Sequence, residues 1–231
     1  MSNRPNCINI NCAVANSDGK AEFICNEGYT EMISGLKATY DERHFARLDH
    51  EKKNHGGTTR LIEVETKKLE TILHNYGVNH IHYLSIDVEG AEFEVIKSIN
   101  FDKVFIDVIG FEDNYKNSSV PIVEFLKEKG YMVIYSFGDI IMLHQNSRFI
   151  PRSRGFIFYP CLDSVGDDLQ YVGKQPIERL MELCESNHDC MGFNTLGFLK
   201  KKIKPLADLE LSNYFKEGAG VYLHEARRDA K

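Results

Sequence analysis

Apolar and polar positions alternate over the first residues, with Ile8, Ile10, Cys12 and Val14 in one register, then Ser17-Asp18-Gly19-Lys20, then Ala21-Glu22-Phe23. A period of two on either side of a Gly-containing turn predicts two strands about a tight turn. From residue 26 to 60 the chain is polar and punctuated by glycine, which predicts a long functional loop or lid carrying His44, His50 and His55 as candidate bases. Order returns at Leu61 to Val64, a short strand, and in a helix where Leu69, Ile72, Leu73 and Tyr76 recur at helical spacing before Gly77. Ile81 to Val88 is the most strand-like stretch, and a helix from Ala91 to Ile99 buries Phe93 and Ile96. Val104 to Phe111 is a second buried strand. A helix from Val120 to Lys129 and a Gly130 stop follow, then a hairpin of Tyr131 to Phe137 with Ile140 to His144 across Gly138-Asp139. The order strand, helix, strand, helix, hairpin describes an α/β protein: the second half of a doubly wound sheet finished by an antiparallel strand.

The pattern changes at Pro151, and Arg152-Ser153-Arg154-Gly155 predicts a boundary between residues 1–150 and a small α+β module, 151–231. That module reads as a strand Phe156 to Tyr159, an acidic loop with Asp163, Asp167 and Asp168, a helix Ile177 to Glu185, a strand from Met191 and a last strand Gly220 to His224. Cys184 and Cys190 stand where a disulfide closes if the compartment is oxidising. The absence of a C-x-x-C pair removes a zinc knuckle. The net charge of −6 belongs to the first 150 residues and the rest balances, so neither part is basic and a nucleic-acid partner is disfavoured. The one basic run, Lys200, Lys201, Lys202 and Lys204, reads as a solvated loop or strand edge. No apolar run approaches a membrane span and the start lacks a signal-like apolar stretch, which points to a soluble, cytoplasmic protein with no membrane partner.

In open α/β sheets ligands bind beyond the carboxyl ends of the strands, and both buried strands here end in acid. One delivers Asp87 and Glu89, the other Glu112, Asp113 and Asn114. Such oxygens can hold Mg²⁺ or take a proton from a hydroxyl. The structural alternative has Asp87 and Glu89 capping the helix that follows. His80 and His82, two apart on a strand, share a face that would suit a metal, but they lie before the catalytic rim and read as structural.

The string Tyr83-Leu84-Ser85-Ile86-Asp87-Val88-Glu89-Gly90-Ala91-Glu92-Phe93-Glu94-Val95-Ile96, with Val64 to Leu73 before it and Val104 to Tyr115 after it, resembles the signature region of FkbM-family methyltransferases. The resemblance implies a Rossmann-like class I methyltransferase domain, S-adenosylmethionine as cofactor and O-methylation of a sugar or glycan acceptor. From their place after the strands, Asp87 and Glu89 are the candidate catalytic carboxylates, and Asp87, Asp113 and Asn114 the candidate ligands of a cation such as Mg²⁺, an arrangement that resembles cation-dependent O-methyltransferases of this fold. The competing account makes Asp87 the base without a metal. The Gly-rich cofactor-binding start expected of the FkbM family does not precede Cys7, so the cofactor-binding residues are unassigned. The resemblance implies that this half is missing through truncation, a split gene or a second chain that supplies it, and weak cofactor binding by this chain alone is expected. The module behind it resembles the Apple/PAN fold in its helix ending at Cys184, its Cys190-Met191-Gly192-Phe193 strand and its final Gly220-Val221-Tyr222 strand, which implies protein or carbohydrate binding. The alternative reading is a non-catalytic carbohydrate- or protein-binding protein that keeps the methyltransferase fold.

Overall fold

A computed structural model of the chain describes residues 6–113, 119–212 and 218–227. In chain order its elements are β1 (Ala13–Val14), β2 (Gly19–Glu27), β3 (Gly35–Leu36), α1 (Glu42–His55), β4 (Thr58–Lys67), α2 (Leu69–Asn75), β5 (His80–Ile86), α3 (Glu92–Lys97), β6 (Phe105–Glu112), α4 (Val120–Glu128), β7 (Tyr131–Phe137) and β8 (Asp139–His144). Then come β9 (Arg152–Ser153), β10 (Phe156–Pro160), β11 (Leu162–Asp163), β12 (Asp168–Tyr171), α5 (Ile177–Glu185), β13 (Gly192–Asn194), β14 (Phe198–Lys200), β15 (Glu210–Leu211) and β16 (Gly220–His224). They pack as two compact units, one of Met1–Asn79 with Ile86–Phe105 and one of His80–Ser85 with Ile106–Lys231.

In the first unit four strands pair in the order β1-β4-β2-β3. The expected hairpin between the first two strands does not form. Ten-residue β4 lies between them, parallel to β1 and antiparallel to β2 from Glu27↔Thr58 to Gly19↔Thr66. The sequence around residue 18 turns the chain, but the longer partner arrives some forty residues later and takes the hydrogen bonds of both strands. The expected loop over 26–60 is likewise corrected, since it holds two short 3₁₀ turns, β3 and the fourteen-residue α1. The Asp41 carboxylate starts α1 by accepting from the main-chain N–H of Arg43 at 2.9 Å and of His44 at 3.1 Å, two donors a helix start leaves without partners. Leu48 on the inner face packs with Ile24, Ile33 and Tyr40. His44, His50 and His55 therefore sit on a helix rather than a lid.

In the second unit β5-β6-β8-β7 form a four-stranded sheet, with β8 antiparallel to both β6 and β7. The residues Phe105–Glu112 are apolar on both faces, as a strand interior to a sheet must be, and Ile106 and Ile109 are fully buried. Asp107 in the same strand is buried too. The order β5, α3, β6, α4, β7, β8 is the one the pattern predicted, so the chain is mixed α/β. Among the described residues, however, the strands divide into separate sheets instead of joining one doubly wound sheet.

Downstream, β12-β14-β13-β16-β10-β9 make a six-stranded sheet, antiparallel in every recorded pair, with a two-stranded β11-β15 beside it. α5 lays Leu180, Met181 and Cys184 against Phe156, Phe193 and Leu199 of this sheet, and Cys184 is disulfide-bonded to Cys190 with their Cα atoms 5.2 Å apart. The core does not stop at Pro151: Met132, Leu143 and Ile150 share one cluster with Ile157, Tyr159, Val221 and Leu223. Of Gly218-x-Gly220, the one G-x-G of the chain, Gly220 belongs to this packing, because a Cβ there would lie 2.4 Å from the Tyr159 carbonyl oxygen. Lys200 departs from its run: its ammonium is buried and bonds the Ser164 carbonyl at 2.7 Å and Asp168 at 2.6 Å, with Asp163 at 3.3 Å. A buried ammonium is tolerable only with such partners.

Candidate active site

β5 ends at buried Ile86, and the chain then turns through Asp87-Val88-Glu89-Gly90-Ala91 into α3. Two residues make the turn. Glu89 adopts φ +49°, uncommon for a residue with a side chain, and Gly90 adopts φ +100°. At Gly90 a Cβ would lie 3.0 Å from the His44 ring and 3.1 Å from the Thr39 carbonyl oxygen, so only glycine fits between the turn and the start of α1. The Glu92 carboxylate accepts from the main-chain N–H of Val88 at 3.3 Å and of Gly90 at 3.1 Å. The Thr39 hydroxyl donates to the Glu89 carbonyl at 3.3 Å. The Glu89 side chain is buried, with the Arg47 guanidinium 3.8 Å from its carboxylate.

Asp87 is left exposed. Ala91 stands at the N-cap of α3 with no side-chain bond, so neither Asp87 nor Glu89 caps that helix and Glu92 ties the turn instead. The first unit thus presents one carboxylate on a rigid turn to solvent, an arrangement able to accept a proton from a bound hydroxyl. His44 and Arg47 reach the turn from α1. Arg47 carried no signal in the sequence while 26–60 read as loop; read as helix, the spacing of three between His44 and Arg47 places both on one face.

In the second unit Glu112 closes β6 opposite Asp139, and the Asp113 main-chain N–H donates to the Gly138 carbonyl at 2.9 Å. Asn114 lies outside the described residues. Of the three residues expected to hold a cation, Asp87 belongs to the first unit and Asp113 to the second.

A second group of polar side chains lies at the start of β5. The His80 Nε2 is 2.7 Å from Asp107 Oδ2, the Ser147 hydroxyl donates to Oδ1 at 2.7 Å and the Arg148 main-chain N–H donates to the same oxygen at 3.2 Å. Burial pushes the Asp107 pKa up, but the bonds from Ser147, His80 and the Arg148 N–H outweigh it, and the carboxyl titrates below its usual range. His82 shares the face of His80, as alternation along a strand requires.

Each unit also has a cleft. One of about 660 Å³ in the first unit is lined by Asp18, Lys68, Thr71, His74 and Lys103. Another of about 860 Å³ in the second carries Lys127, Lys129, Lys202, Lys204 and Arg227. No described helix is long and apolar enough to cross a membrane.

The model of the methyltransferase FkbM domain matches residues 1–149. A protein of Acanthamoeba polyphaga mimivirus whose name describes it as a glycosyltransferase is 35% identical over 93 residues, which cover 37% of this chain and 28% of that protein. The chain thus spans under a third of that relative's length. No solved structure matches. With its match running through the acidic turn and over well more than half of the residues, the chain belongs to the FkbM methyltransferase family.

Proposed function

We propose that this chain contributes the acceptor side of an S-adenosylmethionine-dependent O-methyltransferase acting on a sugar or glycan hydroxyl. The observation that carries the proposal is the Asp87 turn: an exposed carboxylate on a backbone fixed by Glu92, Thr39, Gly90 and the Arg47–Glu89 contact. Rigid placement matters because an acceptor oxygen must meet its electrophile in line, and misplacement costs rate steeply. Asp87 receives the proton that the acceptor hydroxyl gives up, and buried Glu89 holds the turn and carries negative charge beside it. S-adenosylmethionine supplies the electrophilic methyl group when bound. Among the described residues no turn with two or more glycines leads from a strand into a helix, so no residue is assigned to holding that cofactor.

The sugar class rests on the resemblance given above and on the glycosyltransferase name of the viral relative. On this reading residues 151–231, the Apple/PAN-like part, hold a glycan or a protein partner. The test combines calorimetric titration of S-adenosylmethionine with transfer of a labelled methyl group to a panel of saccharides, for the chain and for Asp87→Asn. Methylation lost in Asp87→Asn supports the assignment, and undiminished transfer by that variant overturns it. Saccharide binding with no methyl transfer, even when a second chain supplies the cofactor-binding half, would establish the non-catalytic reading instead. Activity that disappears on chelation and returns with Mg²⁺ would establish a cation requirement, and a loss of Mg²⁺ dependence in Asp87→Asn would make Asp87 one of its ligands.

A further inference from the structure

The cluster at the start of β5 has the composition of a transition-metal site that the methyltransferase reading does not use. One ligand atom from each of His80, His82 and Asp107 lies within 4.8 Å of the other two, and all three residues belong to the second unit. Their placement follows from the strands. His80 and His82 alternate onto one face of β5, and Asp107 comes from β6, the neighbour of β5 in the sheet.

Two imidazoles and a carboxylate are the donor set that borderline divalent ions such as Zn²⁺ take, at roughly 2.0 to 2.2 Å from each donor and with a further position open. A bound ion would draw together donors that lie up to 4.8 Å apart by a turn of the side chains. Three features prepare the group for a cation. Asp107 is fully buried, and the Ser147 hydroxyl and the Arg148 N–H orient its Oδ1, the kind of support that metal-binding carboxylates receive from their surroundings. The Arg148 guanidinium contacts His82 Nε2, so a cationic donor already stands at the ring atom that would face the metal. The same guanidinium has its Nε 4.0 Å from Asp107. A positive group thus already lies against two of the three donors, and it is on an exposed side chain free to swing away, since the Arg148 side chain is 57% exposed.

We infer that His80, His82 and Asp107 form a binding site for a borderline divalent transition metal, Zn²⁺ in the first instance, with Arg148 as the cation the metal displaces. On binding, His80 carries its ring hydrogen on Nδ1, its Nε2 gives up the hydrogen shared with Asp107 and the metal takes that place, while Arg148 moves outward over Phe149, whose ring it already approaches at 5.4 Å. The site stands independently of the Asp87 turn and of any cofactor.

The test is zinc titration of the full chain against a fluorescent chelator, with Co²⁺ absorption reporting the ligand type. One equivalent of Zn²⁺ is expected, with affinity falling by more than about tenfold in His80→Ala and in His82→Ala and by about tenfold in Ser147→Ala, which only orients Asp107. Arg148→Ala is expected to bind as tightly or more tightly. Circular dichroism of each variant separates lost ligands from lost fold, and exposed His82 offers the substitution least costly to folding. Equal zinc binding in wild type and in the His80→Ala/His82→Ala double variant would place the ion elsewhere on the chain and overturn the site. So would a tenfold loss in Arg148→Ala, which would make Arg148 a supporting group and not the displaced one.

Discussion

Asp87 and Asp107 carry the same carboxylate and are held in opposite ways. Around Asp87 the bonding work falls to its neighbours: Glu92 ties the main chain, Arg47 meets Glu89, and Asp87 itself faces water. Around Asp107 the carboxylate is the hub, fully buried and bonded by Ser147, His80 and the Arg148 N–H. A buried charge is retained only when its partners replace water, so Asp107 serves stability through Ser147 and the Arg148 N–H and can meet a metal only where the metal replaces the hydrogen from His80. An exposed charge on a rigid turn costs little to keep and is available to a ligand. The contrast shows that which carboxylate can act is decided less by the residue than by which neighbour carries the structural bonds.

That contrast can be broken by experiment. Asp87→Asn should lower methyl transfer by at least about a hundredfold, the lower range for removing a general base, while leaving stability within about 0.5 kcal/mol. Parallel rate and urea-unfolding measurements check this, and a large loss of stability would make Asp87 structural after all. Asp107→Ala should show the reverse weighting, a loss of about 2 to 3 kcal/mol in urea unfolding because three donors lose their acceptor. Glu92→Ala lies between the two: about 1 kcal/mol of stability lost with the two main-chain bonds, together with reduced methyl transfer as the turn loosens. The smallest effect concerns pH. Burial lowers the pKa of His144, and burial followed by Arg227 lowers that of His224, so the unfolded chain takes up protons where the folded one does not. Stability should therefore be full above the unfolded histidine value of about 6.5 and decline as pH falls below it. Urea midpoints across that range should fall toward acid, and less so in His144→Gln.

Much of this was legible in the sequence, for reasons that differ by element. Phe105–Glu112 announced itself because a strand covered on both faces must be apolar at consecutive positions, and Ile86-Asp87 because an apolar strand ending in acid marks a carboxyl edge. α1 was hidden: Leu48 is the buried apolar residue of a charged helix, whose start depends on the Asp41 cap and whose place depends on Ile24 and Ile33 elsewhere in the chain. Lys200 read as solvated because its partners, Ser164, Asp163 and Asp168, are more than thirty residues away. The Arg47 contact was illegible for the same reason as Lys200, since ion pairs across space leave no period in the chain. The Glu92 ties are local, to Gly90 and Val88 two and four residues back, and were masked by reading Asp87 and Glu89 as the caps of the helix.

The long pairing of β2 with β4 has a consequence for the order in which the first unit folds. Its innermost pair, Glu27 with Thr58, joins positions 31 residues apart, and the later pairs enclose progressively more chain. Loop closure grows only slowly more costly with length, so the ribbon should zip outward from this inner end. α1 lies within that loop and can form on its own far faster than the strands meet, which shortens the span to be closed. β1 can add to the far edge of β4 only once that ribbon exists, making the Ala13–Val14 pairing the last to form and the first to fray. Hydrogen exchange should find protection rising from β1 through Gly19 to Glu27, a gradient set by topology rather than by burial.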